Sequence, residues 1–339
     1  IRRPPRSTLS PSSAASDVYK RQYIHGLFLC GSYGSGPLMT IEQRKKMVEI
    51  TMNSLPRDLK IIVHVGSTDT YTSVTLAKHA EDLGVDAIAS VPPYYYKHRD
   101  NAVKEHFRRL LNAVDIPVYV YNNPKTVGYA IQPLLLHELE NMGVKGVKDS
   151  SFDILNFMNY KRACSEDFDI VVGTEALMLP SYIMGARAFI PGLANYFPEI
   201  VRELFDTCEK GDWSKARELQ YKVLTIRDIA HSAGSSIAGV HVILKLRGID
   251  AGYPKLPFTL PDEYKIKEIG IFGSFVRGDA TEGSDVDILV EFEEVPSLFK
   301  FIEIENYLSN ILGIKVDLVE KKSLKPRIGE HILKEVVIL

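Results

Sequence analysis

The sequence has few cysteines, almost no net charge and no long apolar run. Its three cysteines, Cys30, Cys164 and Cys208, have neither metal-binding nor disulfide spacing, so we expect a protein of the reducing cytoplasm. A formal net charge of −2 gives no support for broad nucleic-acid binding. No apolar run approaches the ~18 residues of a membrane span, and no segment resembles a secretory signal. Histidines such as His64 and His98 have no partner pattern, and we expect them to be structural.

A repeating pattern of strand and helix fills most of the chain. Short runs rich in Val and Ile alternate with amphipathic stretches such as residues 73–83, whose apolar side chains fall on one helical stripe. The strand candidates are residues 26–30, 60–65, 87–91, 118–121, 144–148, 170–173 and 188–191. This alternation predicts a parallel sheet covered by helices, and a (β/α)8 barrel has its active site at the carboxyl ends of the strands. The length of 339 residues predicts two domains.

Lys148 ends one strand candidate, and Tyr121 ends the preceding one. A lysine attacks a ketone only as an uncharged amine, which apolar surroundings at a strand end favour. Because side chains alternate along a strand, Gly146 shares a face with Lys148 and leaves space for its stem, whereas Lys145 points the other way. A tyrosine hydroxyl nearby can relay protons to and from a carbinolamine. The pair predicts an aldolase-type lyase that works through an imine; the alternative is that Lys148 caps a strand at the surface.

Further motifs follow in order through residues 24–261. They are GSYGS at 31–35, PPYYY at 92–96, YNNP at 121–124, GVKDS at 146–150, and GARAFIP at 185–191 with Asn195. Together they resemble the pyruvate-dependent class I aldolases that include dihydrodipicolinate synthase and N-acetylneuraminate lyase. The resemblance implies a TIM barrel and a lyase without a cofactor. The first strand candidate corresponds to the second strand of that family, so we expect a barrel without its first strand and helix, with two unpaired edges that lower its stability.

The resemblance also assigns roles to residues. It implies that Lys148 forms the Schiff base with pyruvate and that Tyr121 is the proton relay. In the turn that begins at Gly31, Ser32 and the amide of Tyr33 hold the pyruvate carboxylate.

Two more residues are assigned in the same way. Tyr95 is lent to the site of a neighbouring subunit, which implies a homo-oligomer, a dimer or a tetramer. Ile190, in the last motif, belongs to the substrate-binding residues.

Departures from the family pattern bear on the substrate. The synthase branch has an arginine where this chain has Thr126, which weakens an assignment as 4-hydroxy-tetrahydrodipicolinate synthase. Glu175 stands where the sugar-acid lyases place an acidic residue against substrate hydroxyls, so we favour a 2-oxo-3-deoxy sugar acid or an N-acetylneuraminate-like substrate. Alternatively, Glu175 is only a carboxylate favoured at the start of a helix. Tyr33, where many relatives have threonine, crowds the pocket and could select a smaller aldehyde.

A second chemical pattern lies near the end of the chain, in IGIFGSFVRG at 269–278 and GSDVDILV at 283–290. Asp285 and Asp287 are two apart on a strand and therefore face the same side, where they can hold divalent metal together. Asp317, in another strand-like run, offers a third carboxylate, and such a trio suits two-metal phosphoryl transfer. The opposite face of the strand is apolar: Val286, Ile288 and Val290.

These residues resemble the minimal nucleotidyltransferases, small polymerase-beta-like proteins often paired with a HEPN-type toxin. The resemblance implies that the three aspartates bind Mg²⁺, that Gly273, Ser274 and Arg277 bind ATP, and that AMP is transferred to a partner protein. The alternative is that residues 284–287 are an ordinary turn and a solvated strand edge.

The ends of the two regions are abrupt. Residues 1–22 are rich in Arg, Pro and Ser, which predicts a disordered tail that resembles translated sequencing adapter, with a transit peptide as the alternative. We expect an aldolase domain at 23–261 and a nucleotidyltransferase domain at 262–339. The closing helices of the first and the leading helix of the second are missing around residues 256–262. An inactive chimeric reading frame is therefore a third hypothesis for the whole chain.

Overall fold

The computed structural model describes residues 24–55, 59–232, 235–258, 266–279, 281, 284–292, 294–296, 298–312 and 314–338. The predicted tail at 1–22, residues 259–262 of the junction and Gly283 of the second aspartate motif lie outside the described residues. The chain divides after Phe258 into two compact units.

Seven parallel strands form the sheet of the larger unit, in chain order. They are β1 (Gly26–Leu29), β2 (Lys60–His64), β3 (Ala87–Ser90), β4 (Val118–Asn122), β5 (Gly146–Asp149), β6 (Asp169–Val172) and β7 (Ala188–Phe189). Each strand starts within two residues of its predicted position, which confirms the strand pattern. In the described part of the chain β1 and β7 do not pair, so the sheet curls into an open barrel with an edge on either side.

Helices cover the outside of this sheet. They are α1 (Ile41–Ser54), α2 (Thr70–Asp82), α3 (Asp100–Leu111), α4 (Pro124–Val127), α5 (Pro133–Asn141), α6 (Ile154–Ala163), α7 (Met178–Ile183), α8 (Pro198–Glu209), α9 (Trp213–Ser232) and α10 (Ser236–Leu246). The stripe predicted on residues 73–83 is buried in α2 through Leu76, Ala77 and Ala80. None of the helices that the structure describes is long and apolar enough to cross a membrane.

Local sequence explains where these helices begin and how they pack. Thr40 and Gln43 form a reciprocal capping box at the start of α1, and Asp69 accepts a hydrogen bond from the amide of Thr72 at the start of α2. The apolar faces of α1, α2, α3, α5 and α6 pack against β1 to β6 in one core, while α7 to α10 share a second core. The polar loops at the carboxyl ends of the strands are thereby held on a packed base.

The smaller unit is an α/β sandwich of its own. It contains β8 (Ile266–Phe272), α11 (Ser274–Arg277), β9 (Val286–Phe292), α12 (Leu298–Leu312), β10 (Val316–Glu320), α13 (Pro326–Glu335) and β11 (Val337–Ile338). The sheet order is β10-β9-β8-β11, and only β9 and β10 are parallel neighbours among the described strands. Val286, Ile288 and Val290 of β9 are buried against α12, which confirms the predicted apolar face.

Candidate active site

Lys148 is buried at the mouth of the barrel. It lies on β5 directly beside Tyr121 of β4, and only 7% of its surface is exposed. Its Nζ is 3.9 Å from the ring centroid of Tyr121 and 4.4 Å from that of Phe28, on β1. The alternative of a surface lysine that caps a strand is therefore wrong, because the amine lies between two aromatic rings.

Gly146 lies where β5 passes between β4 and β6. A Cβ at Gly146 would lie 2.4 Å from the carbonyl oxygen of Asp169 and 2.6 Å from the ring of Tyr119, and its nearest neighbours do not include Lys148. The hydroxyl of Tyr119 donates to Asp169 over 2.6 Å. The glycine therefore makes room for this contact between β4 and β6, which keeps β5 in register between them.

The hydroxyl of Tyr121 belongs to a small polar network. It lies 3.3 Å from Oγ of Ser32, and Nδ2 of Asn123 donates to both oxygens over 3.2 Å. Burial by itself raises the pKa of Tyr121, but the charge of Lys148 and the hydrogen bonds of Ser32, Lys148 and Ser150 outweigh burial, so the net direction is down. A phenol with a lowered pKa and polar neighbours is suited to taking up and releasing a proton.

The GSYGS turn follows β1 and faces the same mouth. It is closed by hydrogen bonds from Ser35 to Ser32 and from Gly36 to Gly31, both over 3.1 Å. Among the residues that the structure describes, the backbone amide of Tyr33 has no protein partner. An unpartnered amide beside the hydroxyl of Ser32 is a suitable pair of donors for a carboxylate.

The side chain of Tyr33 turns away from this amide. Its ring occupies the space above Gly192, where a Cβ would come within 2.5 Å of it. Burial is the main cause that raises the pKa of Tyr33, while a hydrogen bond to Ser236 acts in the other direction. Ile190 lies nearby at the end of β7, half-buried, and its amide donates to the carbonyl of Val172 over 2.9 Å. The ring of Tyr33 therefore fills the space beside Gly192, in the segment that follows β7.

Glu175 is buried and already has partners. Its carboxylate forms an ion pair with Arg227 of α9 over 3.1 Å and accepts a long hydrogen bond from the amide of Leu193 over 3.4 Å. The angle at Nε of Arg227 is not that of a hydrogen bond, so the contact is electrostatic rather than directed. Arg227 also lies 5.3 Å from the ring of Phe152, and the amine of Lys125 lies 4.3 Å from the same ring. Glu175 is thus part of a charged cluster on one wall of the mouth, and the simpler explanation as a carboxylate that only starts a helix is incomplete.

Tyr95 is the one expected site residue of the larger unit that the structure places away from the Lys148 pocket. It is 82% exposed, has a left-handed backbone with φ of 81°, and packs only edge-on against Tyr96. A bulky residue in this conformation is strained, and such strain is retained where surrounding contacts or a function require it. The preceding residue, Tyr94, packs instead with Tyr121 inside the pocket.

Sequence reasoning missed four residues that shape this site: Phe28, Arg44, His64 and Arg227. Phe28 could have been found from alternation along β1, since its neighbours Leu27 and Leu29 point outward to the core. Arg227 lies within a polar helix and carries no local signal. The site is therefore assembled by the fold as well as by the motifs.

The smaller unit brings two of the three expected aspartates together. Asp287 on β9 and Asp317 on β10 are register partners. Burial, and then the charges of Asp317 and Asp285, raise the pKa of Asp287. The ammonium of Lys315 lies between Asp285, at 2.6 Å, and Asp317, at 2.9 Å. In the described part of the chain no group of three acidic, His or Cys side chains has a metal-holding arrangement, so the trio is not preassembled around a common point.

Gly273 directly follows β8 and packs against the side chain of Asp287. Its φ is 75°, and a Cβ there would lie 2.1 Å from Oδ2 of Asp287, so only glycine fits. Its amide donates to Glu335 of α13 over 3.1 Å, and Nη1 of Arg277 reaches both oxygens of the same carboxylate within 3.2 Å. Ser274 begins the short helix α11 that carries Arg277. The expected phosphate donors Gly273 and Arg277 therefore converge on one anionic group, which here is Glu335.

The larger and the smaller unit each match a known protein family. Residues 18–270 match the model of the dihydrodipicolinate synthetase family, and residues 256–339 match that of the nucleotidyltransferase domain. The chain is 33% identical over 241 residues to an uncharacterized DapA-like lyase of Halobacterium salinarum, which covers 71% of this chain and 79% of that protein. It is 30% identical over 241 residues to a 2-dehydro-3-deoxy-D-gluconate/2-dehydro-3-deoxy-phosphogluconate aldolase of Thermoproteus tenax, over 70% of this chain and 77% of that protein.

A solved structure supports the same assignment. The sialic acid aldolase of Ruminococcus gnavus superposes with a TM-score of 0.71 at 28% identity, over 75% of this chain and 87% of that one. Family match, sequence identity and fold coincide on the unit that carries Lys148 and Tyr121. This chain therefore belongs to the dihydrodipicolinate synthetase family of lyases and carries a nucleotidyltransferase domain after its barrel.

Proposed function

We propose that the barrel is a class I aldolase in which Lys148 forms an imine with pyruvate. The observation that carries the proposal is the buried amine of Lys148, 3.9 Å from the ring of Tyr121. The uncharged amine attacks the ketone carbon of the 2-oxo acid, and the carbinolamine loses water to give the imine. Aromatic walls on two sides exclude bulk water from this step.

Tyr121 moves the protons of the reaction. Its hydroxyl takes the proton that leaves nitrogen and returns it to the departing hydroxyl of the carbinolamine, and Ser32 and Asn123 hold it in place. In the cleavage direction the same hydroxyl accepts the proton of the substrate alcohol as the carbon–carbon bond breaks. The electron pair of that bond passes to the imine and gives an enamine, and an aldehyde leaves. The hydroxyl of Tyr121 then returns its proton to the enamine carbon, and water hydrolyses the resulting pyruvate imine. The hydroxyl of Ser32 and the amide of Tyr33 bind the carboxylate throughout.

Reduction with borohydride in the presence of pyruvate tests this proposal. The expected result is a pyruvate adduct on Lys148 by mass spectrometry, lost in Lys148→Ala. Lys145→Ala is the matched control, because Lys145 lies immediately before β5 on the same segment and is exposed. An unchanged protein mass after reduction would reject the mechanism and would favour an inactive chimera.

For the second substrate we infer a 2-oxo-3-deoxy sugar acid or an N-acetylneuraminate-like acid. The names of the relatives from Thermoproteus tenax and Ruminococcus gnavus support this class. Thr126 supports it as well, because it offers no charge to a second carboxylate of the kind that the synthase reaction requires. The cluster of Glu175 and Arg227 supplies polar groups for hydroxyls at the distal end of such a chain.

A substrate panel distinguishes the possibilities. Cleavage of 2-oxo-3-deoxygluconate and of N-acetylneuraminate is measured by release of pyruvate, and the synthase reaction by consumption of aspartate semialdehyde with pyruvate. We expect sugar-acid cleavage to be at least tenfold faster, about 1.4 kcal/mol in the barrier. A preference for aspartate semialdehyde would assign the chain to the synthase branch instead.

We also propose that the barrel works as a homo-oligomer. The exposed and strained Tyr95 has no function within its own chain that the structure accounts for, and a site completed by a neighbour would supply one. Native mass spectrometry should find a dimer or a tetramer. Tyr95→Phe should lower turnover without changing that mass, and a fully active monomer would contradict the proposal.

For the smaller unit we propose nucleotidyl transfer, on the observation that Asp287 and Asp317 are register partners beside Gly273. The three carboxylates are the ligand type that Mg²⁺ prefers, and Asp285, Asp287 and Asp317 would hold it. Bound Mg²⁺ would orient a triphosphate and neutralise its charge. Gly273 and Arg277 would bind phosphate in place of the carboxylate of Glu335, and Lys315 would leave the gap between Asp285 and Asp317.

The acceptor that we propose is a protein, such as a HEPN-type toxin, which would receive AMP. Labelling of such a partner from ATP with Mg²⁺ tests this activity, and it should be lost in Asp287→Ala. Glu303→Ala is the control, since Glu303 is exposed on α12, lies outside the aspartate trio and pairs with Lys300. Labelling that persists in Asp287→Ala would refute the assignment of this site.

A further inference from the structure

His64 is a buried side chain of the barrel mouth that the proposed chemistry does not use. It is the last residue of β2 and is only 2% exposed. Its ring stacks against Phe28 at 6.2 Å between centroids and meets the ring of Tyr121 edge-on at 5.5 Å. It is therefore in contact with both aromatic rings that flank the amine of Lys148.

Both nitrogens of His64 are used by the backbone of neighbouring strands. Nδ1 lies 3.0 Å from the carbonyl oxygen of Cys30, which can only accept, so Nδ1 carries the proton. Nε2 is then the acceptor, and the amide of Val91 points at it from 3.5 Å. The imidazole thus ties the end of β1 and the end of β3 to the end of β2.

The ring is kept neutral by its surroundings. Burial, and then the charge of Arg44, lower the pKa of His64 to about 3, with a further contribution from Lys148. Arg44 is itself buried and donates to the carbonyls of His64 and Gly66, on the chain just after β2. The tautomer and the position of the imidazole are therefore constant at any pH at which the lyase would be assayed.

The bond to Cys30 holds a strained residue. Cys30 has a left-handed backbone with φ of 56°, which costs energy for any residue other than glycine. Its carbonyl is also packed against Gly36, where a Cβ would lie only 1.8 Å away. Cys30 immediately precedes Gly31 and Ser32, so its conformation decides where the carboxylate donors of the turn point.

We propose that His64 is a positioning residue for pyruvate: by holding the carbonyl of Cys30 it fixes the turn that carries Ser32 and the amide of Tyr33. The inference rests on the proposed aldolase function of Lys148. It separates two contacts of one side chain. The hydrogen bond to Cys30 sets the affinity for the carboxylate, whereas the ring face supports the packing of Tyr121 and Phe28.

Two substitutions divide these contacts. His64→Phe keeps a ring and removes the donor to Cys30. His64→Asn removes the ring and keeps an amide N–H close to the position of Nδ1. In His64→Phe the pyruvate concentration that half-saturates borohydride trapping should rise about tenfold, the usual effect of one lost buried hydrogen bond, while the maximal extent of trapping stays close to that of the unmodified chain. In His64→Asn the half-saturating concentration should return to within about threefold of the unmodified value, since the donor is restored.

His106 provides the matched control. It is equally buried, and both of its nitrogens are bonded, to Thr70 at 2.9 Å and to Ser90 at 3.1 Å, but it does not contact Lys148, Tyr121 or the turn. His106→Phe should lower the melting temperature and leave the half-saturating pyruvate concentration unchanged. Should His64→Phe not fold, His64→Leu also removes the donor to Cys30 and should raise the half-saturating pyruvate concentration in the same way.

The outcomes separate the two levels of the inference. An adduct in the unmodified chain with no change of half-saturation in His64→Phe would overturn the role of His64 and leave the aldolase intact. Equal losses of affinity in His64→Phe and His64→Asn would also overturn it, because they would show that restoring the donor to Cys30 does not restore binding. No adduct in the unmodified chain would overturn the aldolase function and this inference together.

Discussion

Replacing Tyr121 by Phe removes one oxygen from the centre of the proposed mechanism and little else. The ring stays, so the contact of 3.9 Å with the amine of Lys148 and the packing against Phe28 are kept. The hydroxyl that is lost is the one bonded to Ser32 and Asn123. The substitution therefore separates proton transfer from the formation of the pocket.

The structure sets the expected magnitudes. Positioned acid–base groups contribute about 10² to 10⁴ in rate, and the middle of this range, about 10³, is a barrier increase of about 4 kcal/mol. The free energy of unfolding should fall by only ~1 kcal/mol, because Asn123 still donates to Ser32 over 3.2 Å and neither group is left without a partner. Since the charge of Lys148 and its hydrogen bonds lower the pKa of Tyr121, ionisation of this hydroxyl should contribute to the alkaline limb of the rate profile, and that contribution should disappear in the variant.

Steady-state turnover and borohydride trapping measure these effects on the same protein. Tyr121→Phe should lose turnover about a thousandfold and should still form the adduct on Lys148, more slowly. Tyr119→Phe is the matched control, because Tyr119 lies on the same strand two residues before Tyr121, with its hydroxyl bonded to Asp169 at the start of β6. Turnover of Tyr121→Phe within tenfold of the unmodified chain would refute the proton relay, and so would an equal loss in Tyr119→Phe.

Three further predictions concern stability. Burial lowers the pKa of His106 to about 4 in the folded chain, so the stability that its neutral form contributes is complete above the unfolded pKa of about 6.5 and is lost as the pH falls toward 4. Urea unfolding at pH 5 should therefore show a loss of about 2 kcal/mol in the free energy of unfolding, and this loss should be absent in His106→Gln. An equal loss in the variant would contradict this. Glu175→Gln removes the buried carboxylate beside Arg227 and leaves it paired with the exposed Asp228 at 3.7 Å, so it should cost about 2 kcal/mol in chemical unfolding, with recovery when Arg227→Met is added. No recovery would mean that the ion pair is not the cause. Gly273→Ala forces a Cβ onto Asp287 at a positive φ and should destabilise the smaller unit by about 2 kcal/mol. Pyruvate trapping by the barrel should not change. An unaltered unfolding transition of the smaller unit would contradict the close contact between Gly273 and Asp287.

The barrel and its central pair were predictable because their signals are local. Short apolar runs such as residues 118–121 are typical of strands that are buried on both faces. The helices between these runs predict that the strands are parallel. Once the strands are placed, Lys148 and Tyr121 must be neighbours, since both end adjacent strands of one sheet. The apolar face of β9 was predictable for the same reason of alternation.

The charged partners were not predictable, because they are contacts across the fold. Glu175 reads as a carboxylate at a helix start, and nothing in the polar sequence of α9 indicates that Arg227 turns inward to it. The neighbours of Gly146 were not predictable for a related reason: the strand pattern shows which face it lies on but not that the ring of Tyr119 and the carbonyl of Asp169 lie beside it. His64 carried no motif, and its function depends on a carbonyl from one strand and an amide from another.

The order of the sheet divides the site into parts that differ in mechanical support. Lys148 and Tyr121 lie on β5 and β4, near the middle of the seven described strands, and each is flanked by paired strands. The GSYGS turn follows β1, and Ile190 follows β7. These two strands are the edges of the same sheet. Lys148 and Tyr121 are therefore held by the sheet itself, whereas the GSYGS turn at residues 31–35 depends on side-chain contacts that reach it from β2. This is the physical reason why a buried histidine at the end of β2 matters more for binding pyruvate than for the reaction that follows.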